Sequence, residues 1–181
     1  MLDHFTSEEQ KEKCIHALEL SIDMWSRMTP TQYCKNDILD HMWMDGTLDK
    51  KDRPLNECFL CQFVDEETRN RIYALIEQDA VQGKAYADSM AYYASGMDCA
   101  RFCPVCWNKK DNPENREDRQ ETVCQLDGSP YDAYRHMIPV NRKMDKKKIL
   151  EDMVSLLKES LDDVRKMPVR PDMEEEKAWP A

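Results

Sequence analysis

Five of the eight cysteines lie in two short segments, NECFLCQF at 56–63 and DCARFCPVCWNKK at 98–110. Each segment holds a pair of thiols separated by two residues, a spacing at which both sulfur atoms reach one metal ion. Two such pairs supply the four soft ligands of a closed tetrahedral zinc site. We therefore predict one structural Zn²⁺ site, held by Cys58, Cys61, Cys103 and Cys106.

The spacing leaves part of the ligand set open. Cys99 and Cys124 are alternates that could replace Cys106, and Cys124 follows a polar stretch that could bring it back to the cluster. His136 is a further candidate. The 41 residues between the two pairs exceed the length of a small zinc finger. Helical sequence between the pairs would therefore have to fold back for them to meet.

The same cysteines also match two redox-active kinds of site. Cys99-x3-Cys103-x2-Cys106 has the spacing that holds a four-iron cluster in radical S-adenosylmethionine enzymes, but those enzymes place it early, after the first strand of a β/α barrel. Here 98 mostly helical residues precede it. An iron–sulfur cluster without that chemistry stays an alternative to zinc. CPVC resembles a dithiol redox motif, which requires a strand before it and a helix after it, whereas a helix end and a loop flank this pair.

No catalytic set accompanies the cysteines. The chain has no nucleophile motif, no phosphate-binding glycine loop and no metal array with an open position. We therefore predict that the protein is not an enzyme.

The elements that must position these cysteines are predicted to be helices. Thr6 and Glu9 form a capping box in the sequence, and Thr29-Pro30 ends the helix that follows. Cys14 belongs to the apolar stripe of this helix, where we expect it to behave as a small hydrophobic residue. The stripe consists of Cys14, Leu18, Ile22, Trp25 and Met28.

Three further helical segments follow. NDILDHMWM ends at the turn Asp45-Gly46, a long apolar-faced run covers 65–95, and the last helix covers 145–167. Only four glycines are present, which disfavours a turn-rich β fold. The prediction is a mainly α fold with little or no β-sheet: a single helical zinc-binding domain over 1–167 and a disordered acidic tail over 168–181. We expect the tryptophans and methionines to form the core.

The net charge and the absence of targeting signals limit the partners and the cellular compartment that we expect. The formal net charge of −10 disfavours general binding to nucleic acid. The start, MLDHFTSEEQ, has neither the basic residues nor the apolar run of a signal peptide, and no stretch is apolar enough to span a membrane. We therefore expect a cytoplasmic protein without a membrane partner, in a compartment where paired cysteines bind metal.

Four short motifs occur in order along the chain: ALELSIDMW, CFLC, FCPVCW, and a later cysteine followed by SPYDAYR. This layout resembles that of small cysteine-rich, zinc-binding proteins encoded by tailed bacteriophages. The resemblance implies a zinc-stabilised helical protein, without enzymatic activity, in the cytoplasm of an infected host cell. It implies the ligands Cys58, Cys61, Cys103 and Cys124, with Cys99 or Cys106 as the variable member. The three-residue gap between Cys99 and Cys103 departs from the pattern, which more often has two.

These observations predict a non-enzymatic interaction protein that binds or inhibits a host or phage protein, such as a defence or transcription factor. The acidic charge would let it imitate DNA. The alternative is a zinc-dependent nucleic-acid-binding protein that uses a basic stretch near the last helix. That stretch consists of Arg135, Arg142, Lys143, Lys146, Lys147 and Lys148.

Overall fold

The computed structural model describes residues 4–30, 35–54, 59–79, 103–105, 130–137 and 143–170. These ranges form a short 3-10 helix, Lys50–Asp52, and five α-helices: α1 Glu8–Arg27, α2 Lys35–Met44, α3 Phe59–Asp79, α4 Pro130–Met137 and α5 Lys143–Lys166. The mainly helical prediction is confirmed for this part of the chain. None of its helices combines the length and apolarity needed to cross a membrane.

The start of α1 is set by Ser7, one residue later than predicted. The backbone N–H of Gln10 donates to Ser7 Oγ at 3.1 Å, and the side-chain oxygen of Gln10 accepts from the backbone N–H of Thr6 at 2.9 Å. Ser7 thus satisfies one orphan donor of the first turn, and the Gln10 side chain satisfies the N–H of Thr6, the residue before the cap. The predicted box of Thr6 and Glu9 was therefore wrong by one position, and Glu9 instead pairs with Lys13 at 3.0 Å.

The core lies mainly between α1 and α5, which pack along one another. The predicted apolar stripe of α5 is confirmed: Leu150, Leu157, Leu161 and Val164 are buried, and Val154 is half-buried. The helix begins at Lys143, two residues before the predicted start. Fully burying each such side chain contributes about 1.5–3 kcal/mol, so this one interface accounts for much of the stability.

Helix α2 ends where the sequence predicts, at a glycine with left-handed backbone. Gly46 has φ of 78°, a conformation that side-chain-bearing residues rarely adopt. The chain then turns so that the N–H of Leu48 donates to the carbonyl of Met42 at 2.9 Å. Leu48 is buried as a result.

Helix α3 begins at Phe59, six residues before the predicted start at Asp65, so it takes in part of the first cysteine pair. Leu60, Val64 and Thr68 are buried along one face of the helix, which packs against α1. The predicted helical run continues to residue 95, but residues 80–95 lie outside the described ranges.

An aromatic cluster joins α4 to α1 and α2. Trp25 meets Tyr134 and Tyr131 edge-to-face, with ring centroids 5.1 and 6.2 Å apart. The ammonium of Lys35, on α2, lies 4.7 Å from the Tyr131 centroid and 4.9 Å from that of Trp25. The segment SPYDAYR therefore forms most of α4, and its two tyrosines pack against Trp25 of α1.

The two ends of the described chain pair with each other. Phe5 N–H donates to the carbonyl of Pro168 at 3.0 Å, and Arg170 N–H donates to the carbonyl of Phe5 at 2.8 Å. This isolated parallel bridge between Phe5 and Val169 is the only extended pairing in the described ranges. The tail was predicted to begin at residue 168, whereas 168–170 take part in this bridge. Residues 171–181 lie outside the described ranges.

Candidate functional site

The described chain contains two of the four predicted metal ligands. Cys61 lies in the first turn of α3 and is half-buried, and Cys103 begins a three-residue segment in which Pro104 and Val105 are buried too. Both are thiols rather than halves of a disulfide. The other predicted ligands, Cys58 and Cys106, and the alternates Cys99 and Cys124, lie outside the described residues. The side chain of His136 does as well.

Cys14 is the third cysteine in the described ranges. Its side chain is completely buried in the core, as the helical stripe predicts. Desolvation, followed by the nearby Cys103 and Glu67, raises the pKa of the Cys14 thiol well above its usual value. Cys14 is therefore a protonated thiol and is unsuited to act as a nucleophile. Its proximity to Cys103, 89 residues further along the chain, has no signal in the sequence.

The arrangement of described residues does not itself complete a metal site. Within the ranges that the structure describes, no three His, Cys, Asp or Glu side chains converge closely enough to hold an ion. Cys61 and Cys103 could each contribute a soft thiolate, and the remaining ligands would come from cysteines outside these ranges.

The basic stretch is less exposed than predicted. Lys146 is 2% exposed, and its ammonium lies 5.9 Å from the centroid of the Tyr134 ring. Burial lowers its pKa. The inclusion of Lys146 in a nucleic-acid contact surface was therefore wrong. Lys147 and Lys148 are exposed. Arg142 and the side chains of Arg135 and Lys143 lie outside the described set.

The exposed face of α2 carries two large apolar residues that were predicted to be core. Trp43 is 53% exposed and Met44 is 68% exposed. Ile38, Leu39 and Met42 form the buried face of the same helix. Because successive helical residues are 100° apart, positions 43 and 44 rotate off that face. A helical projection of NDILDHMWM therefore already indicates that these two residues lie away from the buried face.

An open depression of about 550 Å³ lies beside Met44 and is lined by Arg27, Ile38, His41, Met44 and Asp45. Its charged rim is held in place. Arg27 donates to Asp45 and, at 2.9 Å, to Thr47 Oγ1. The Thr47 hydroxyl and the Arg27 guanidinium together lower the pKa of Asp45 to about 2. The carboxylate therefore stays ionised at any physiological pH.

Comparison with known proteins gave no further guide to the site. No protein-family model, no curated protein and no solved structure matches this chain.

Proposed function

We propose that this protein is a non-enzymatic, zinc-stabilised interaction protein whose α2 surface binds another protein. The observation that carries this proposal is the exposure of Trp43 and Met44 at the end of α2. The proposed setting is the cytoplasm of a bacterium infected by a tailed phage. There the protein would bind or inhibit a host factor.

Side chains of these two types suit a binding surface. Tryptophan is enriched among the few residues that carry most of the energy of protein interfaces. Methionine adapts its shape to a partner because it is unbranched and polarizable. Met44 also lines the depression beside Ile38 and His41, into which a partner side chain could insert.

The surrounding charge defines the kind of partner. Asp37 and Asp40 precede Met44 by seven and four residues, so they share its side of α2. Asp45 adds a third carboxylate at the rim. Arg27 pairs with Asp45, and Arg53 pairs with Asp40 at 2.7 Å, so these two charges are partly offset and Asp37 is the exposed acidic group beside Met44. The whole chain carries a net charge of −10. Complementary charge steers association and excludes wrong partners. We therefore propose a partner with a basic surface, such as a protein that itself binds nucleic acid.

Zinc has a supporting role in this proposal. Cys61 projects from the first turn of α3, and Cys103 starts a segment buried in the core. A metal ion bound to thiolates from both segments would hold α3 and the Cys103 segment together. Such a site is structural, because four thiolates leave no open coordination position.

The binding test uses the pair Trp43→Ala and Met44→Ala in one variant. Partners captured from bacterial lysate by the wild-type protein would be identified, purified and titrated by calorimetry against both proteins. We expect the variant to bind the partner roughly 30-fold more weakly or worse, because truncating one or two interface anchors commonly removes at least 2 kcal/mol. Its fold should be intact, since exposed substitutions change stability by only about 0.5 kcal/mol.

The matched control replaces Lys147 and Lys148, which are exposed on α5, by alanine. Its affinity for the protein partner should equal that of wild type. Equal binding by the Trp43/Met44 variant and wild type would show that α2 is not the interface.

The same control variant tests the nucleic-acid alternative. Phosphate contacts make affinity fall steeply with salt, by roughly 500-fold between 50 and 200 mM for the five basic residues of the stretch other than Lys146. Fluorescence anisotropy on duplex and single-stranded DNA and RNA would measure this fall. Tight binding that weakens with salt and with loss of Lys147 and Lys148 would favour the alternative, and a flat response would exclude it.

A further inference from the structure

Two aromatic rings from separate helices enclose a buried ammonium group. Lys35 Nζ lies 4.9 Å from the ring centroid of Trp25 on α1 and 4.7 Å from that of Tyr131 on α4. It also lies 3.5 Å from the Tyr131 hydroxyl oxygen. The two rings stand nearly perpendicular, at 88°, with centroids 6.2 Å apart. We call the space between these two rings the aromatic cleft.

The walls of the cleft and the group that fills it belong to different elements. Lys35 is the first residue of α2, whereas the rings are on α1 and α4. Tyr134 packs edge-to-face on Trp25, with centroids 5.1 Å apart, and holds that ring from another side. The buried apolar face of α2 anchors that helix independently. The Lys35 side chain can therefore leave the cleft while the rings stay in place.

The cleft is open to a ligand on two sides. Tyr131 is only half-buried. Trp25 also lines an open groove of about 530 Å³ between the end of α1 and α5, together with Met28, Leu150 and Val154. The charges on the rim of this groove are mixed, because Lys147 pairs there with Glu151 at 3.7 Å. The groove therefore gives space for the body of a ligand whose charged group lies between the rings.

The rings suit a different cation better than the one they hold. The primary ammonium of lysine is a compact, strongly hydrated charge, and Lys35 is only 8% exposed. Its burial between rings therefore loses favourable hydration. A quaternary ammonium has no N–H donors to leave unsatisfied, and aromatic rings attract it by the same cation–π interaction. Exchange of one cation for the other would return the Lys35 ammonium to water.

We propose that the aromatic cleft is a binding site for a quaternary ammonium group, and that Lys35 fills this site when no ligand is bound. The ligand enters between Trp25 and Tyr131, and the Lys35 side chain moves into solvent. The inference goes beyond the proposed function and depends on neither the zinc site nor the α2 surface.

The test is an NMR titration of wild type and Lys35→Ala with choline and with its uncharged isostere, 3,3-dimethylbutan-1-ol. We expect Lys35→Ala to bind choline about tenfold more tightly than wild type, because no side chain competes for the cleft. The isostere should bind this variant roughly tenfold more weakly than choline does, since it lacks the cation–π attraction. Ring currents should shift the N-methyl protons of bound choline upfield.

Further variants separate the cleft from nonspecific binding. Tyr131→Leu, added to Lys35→Ala, keeps an apolar side chain but removes one ring, so choline binding should be lost. Lys51→Ala is the control, because Lys51 is an exposed lysine outside the cleft, and it should bind choline as wild type does. A peptide that contains trimethyllysine distinguishes the source of the ligand. Tighter binding of this peptide than of choline would indicate a methylated protein, and the reverse order a small molecule.

Two results would overturn the inference. One is equal affinity of folded Lys35→Ala for choline and for the isostere, which would make the cleft a simple apolar cavity. The other is the absence of choline binding to that variant. Lys35→Met, which keeps the aliphatic stem, replaces it if the alanine variant does not fold. If neither variant folds, wild type decides, and the lack of a saturable choline shift in wild type overturns the inference.

Discussion

Two lysines place their ammonium groups against aromatic rings in the interior. Lys35 lies between Trp25 and Tyr131, and Lys146 lies over Tyr134. Their aliphatic stems are covered by the core, and only 8% and 2% of the two residues remain exposed. An aromatic face attracts a cation and offsets part of its desolvation. These two lysines are thus structural residues, whereas Lys147 and Lys148 on α5 are exposed.

The burial of Lys146 predicts a pH dependence of stability. Burial lowers its pKa from the usual 10.5, so the unfolded chain binds more protons than the folded chain between the lowered value and 10.5. Stability from this group therefore rises with pH across that window and is lowest below it. Lys146→Met removes the titration and keeps the stem. At pH 7 we expect the variant within about 1 kcal/mol of wild type, because the lost cation–π contact with Tyr134 is partly offset by the ammonium no longer being buried.

The measurement is urea unfolding at pH 7 and pH 10. Wild type should gain stability relative to Lys146→Met between the two values. Lys147→Met is the control, since Lys147 is exposed and pairs with Glu151 at 3.7 Å. An identical pH response of wild type and Lys146→Met would contradict the assignment.

At the scale of the elements, capping side chains and turns decide where helices begin and end. Ser7 caps α1, whereas the Thr6 hydroxyl only meets the Gln10 side chain, at 3.2 Å, on the exposed surface. At the far end, Met28 N–H donates to the carbonyl of Trp25 at 3.3 Å, just before Thr29-Pro30. The first helix is therefore bounded by local interactions that need no partner element.

The cap predicts an order of effects on stability. Ser7→Ala should destabilise the protein by about 1 kcal/mol, because the N–H of Gln10 loses its acceptor. Thr6→Ala should have an effect of only a few tenths of a kcal/mol, since its hydroxyl contact is solvent-exposed. Chemical denaturation of both variants at neutral pH measures this order. A larger effect at Thr6 would show that Thr6 is the N-cap of α1, as the sequence analysis predicts.

At the scale of the whole molecule, the helices are joined in two ways. α1 and α5 share a continuous apolar interface, and Arg165 adds a surface contact to Glu19 at 3.0 Å. The Cys103 segment, residues 103–105, instead belongs to no helix or strand. In the zinc proposal, metal ligation attaches this segment to the helices. The Cys103 segment and the α1–α5 interface should therefore respond differently to metal removal.

Chelation tests that difference. Structural zinc contributes on the order of 10 kcal/mol to small domains that depend on it, so a chelator should lower the thermal midpoint strongly. Hydrogen exchange should rise first in α3 and around Cys103, and later in α5. Re-addition of Zn²⁺ should reverse both effects, and elemental analysis should show zinc rather than iron. An unchanged midpoint and exchange pattern after chelation would contradict a structural zinc.

The features of the fold that could be predicted depend on residues close together in the sequence. The stripe of α5 and the end of α2 at Gly46 follow from residues within one or two helical turns. The start of α3 was missed because Phe59 and Leu60 are buried in the tertiary core, which the local pattern around CFLC does not indicate. The ligand candidates Cys61 and Cys103 were found from spacing, whereas Cys14 as a neighbour of Cys103 was not.

The sequence by itself determined that this is a mainly helical chain, where several helices stop, and which cysteines have ligand spacing. Periodicity of 3.6 residues, prolines and glycines act within a few residues, so their consequences are visible along the chain. The tertiary structure alone decided that Lys146 is covered and that Cys14 lies near Cys103. Burial and proximity depend on which distant element packs over a residue. That packing is determined by the contacts of the whole core together.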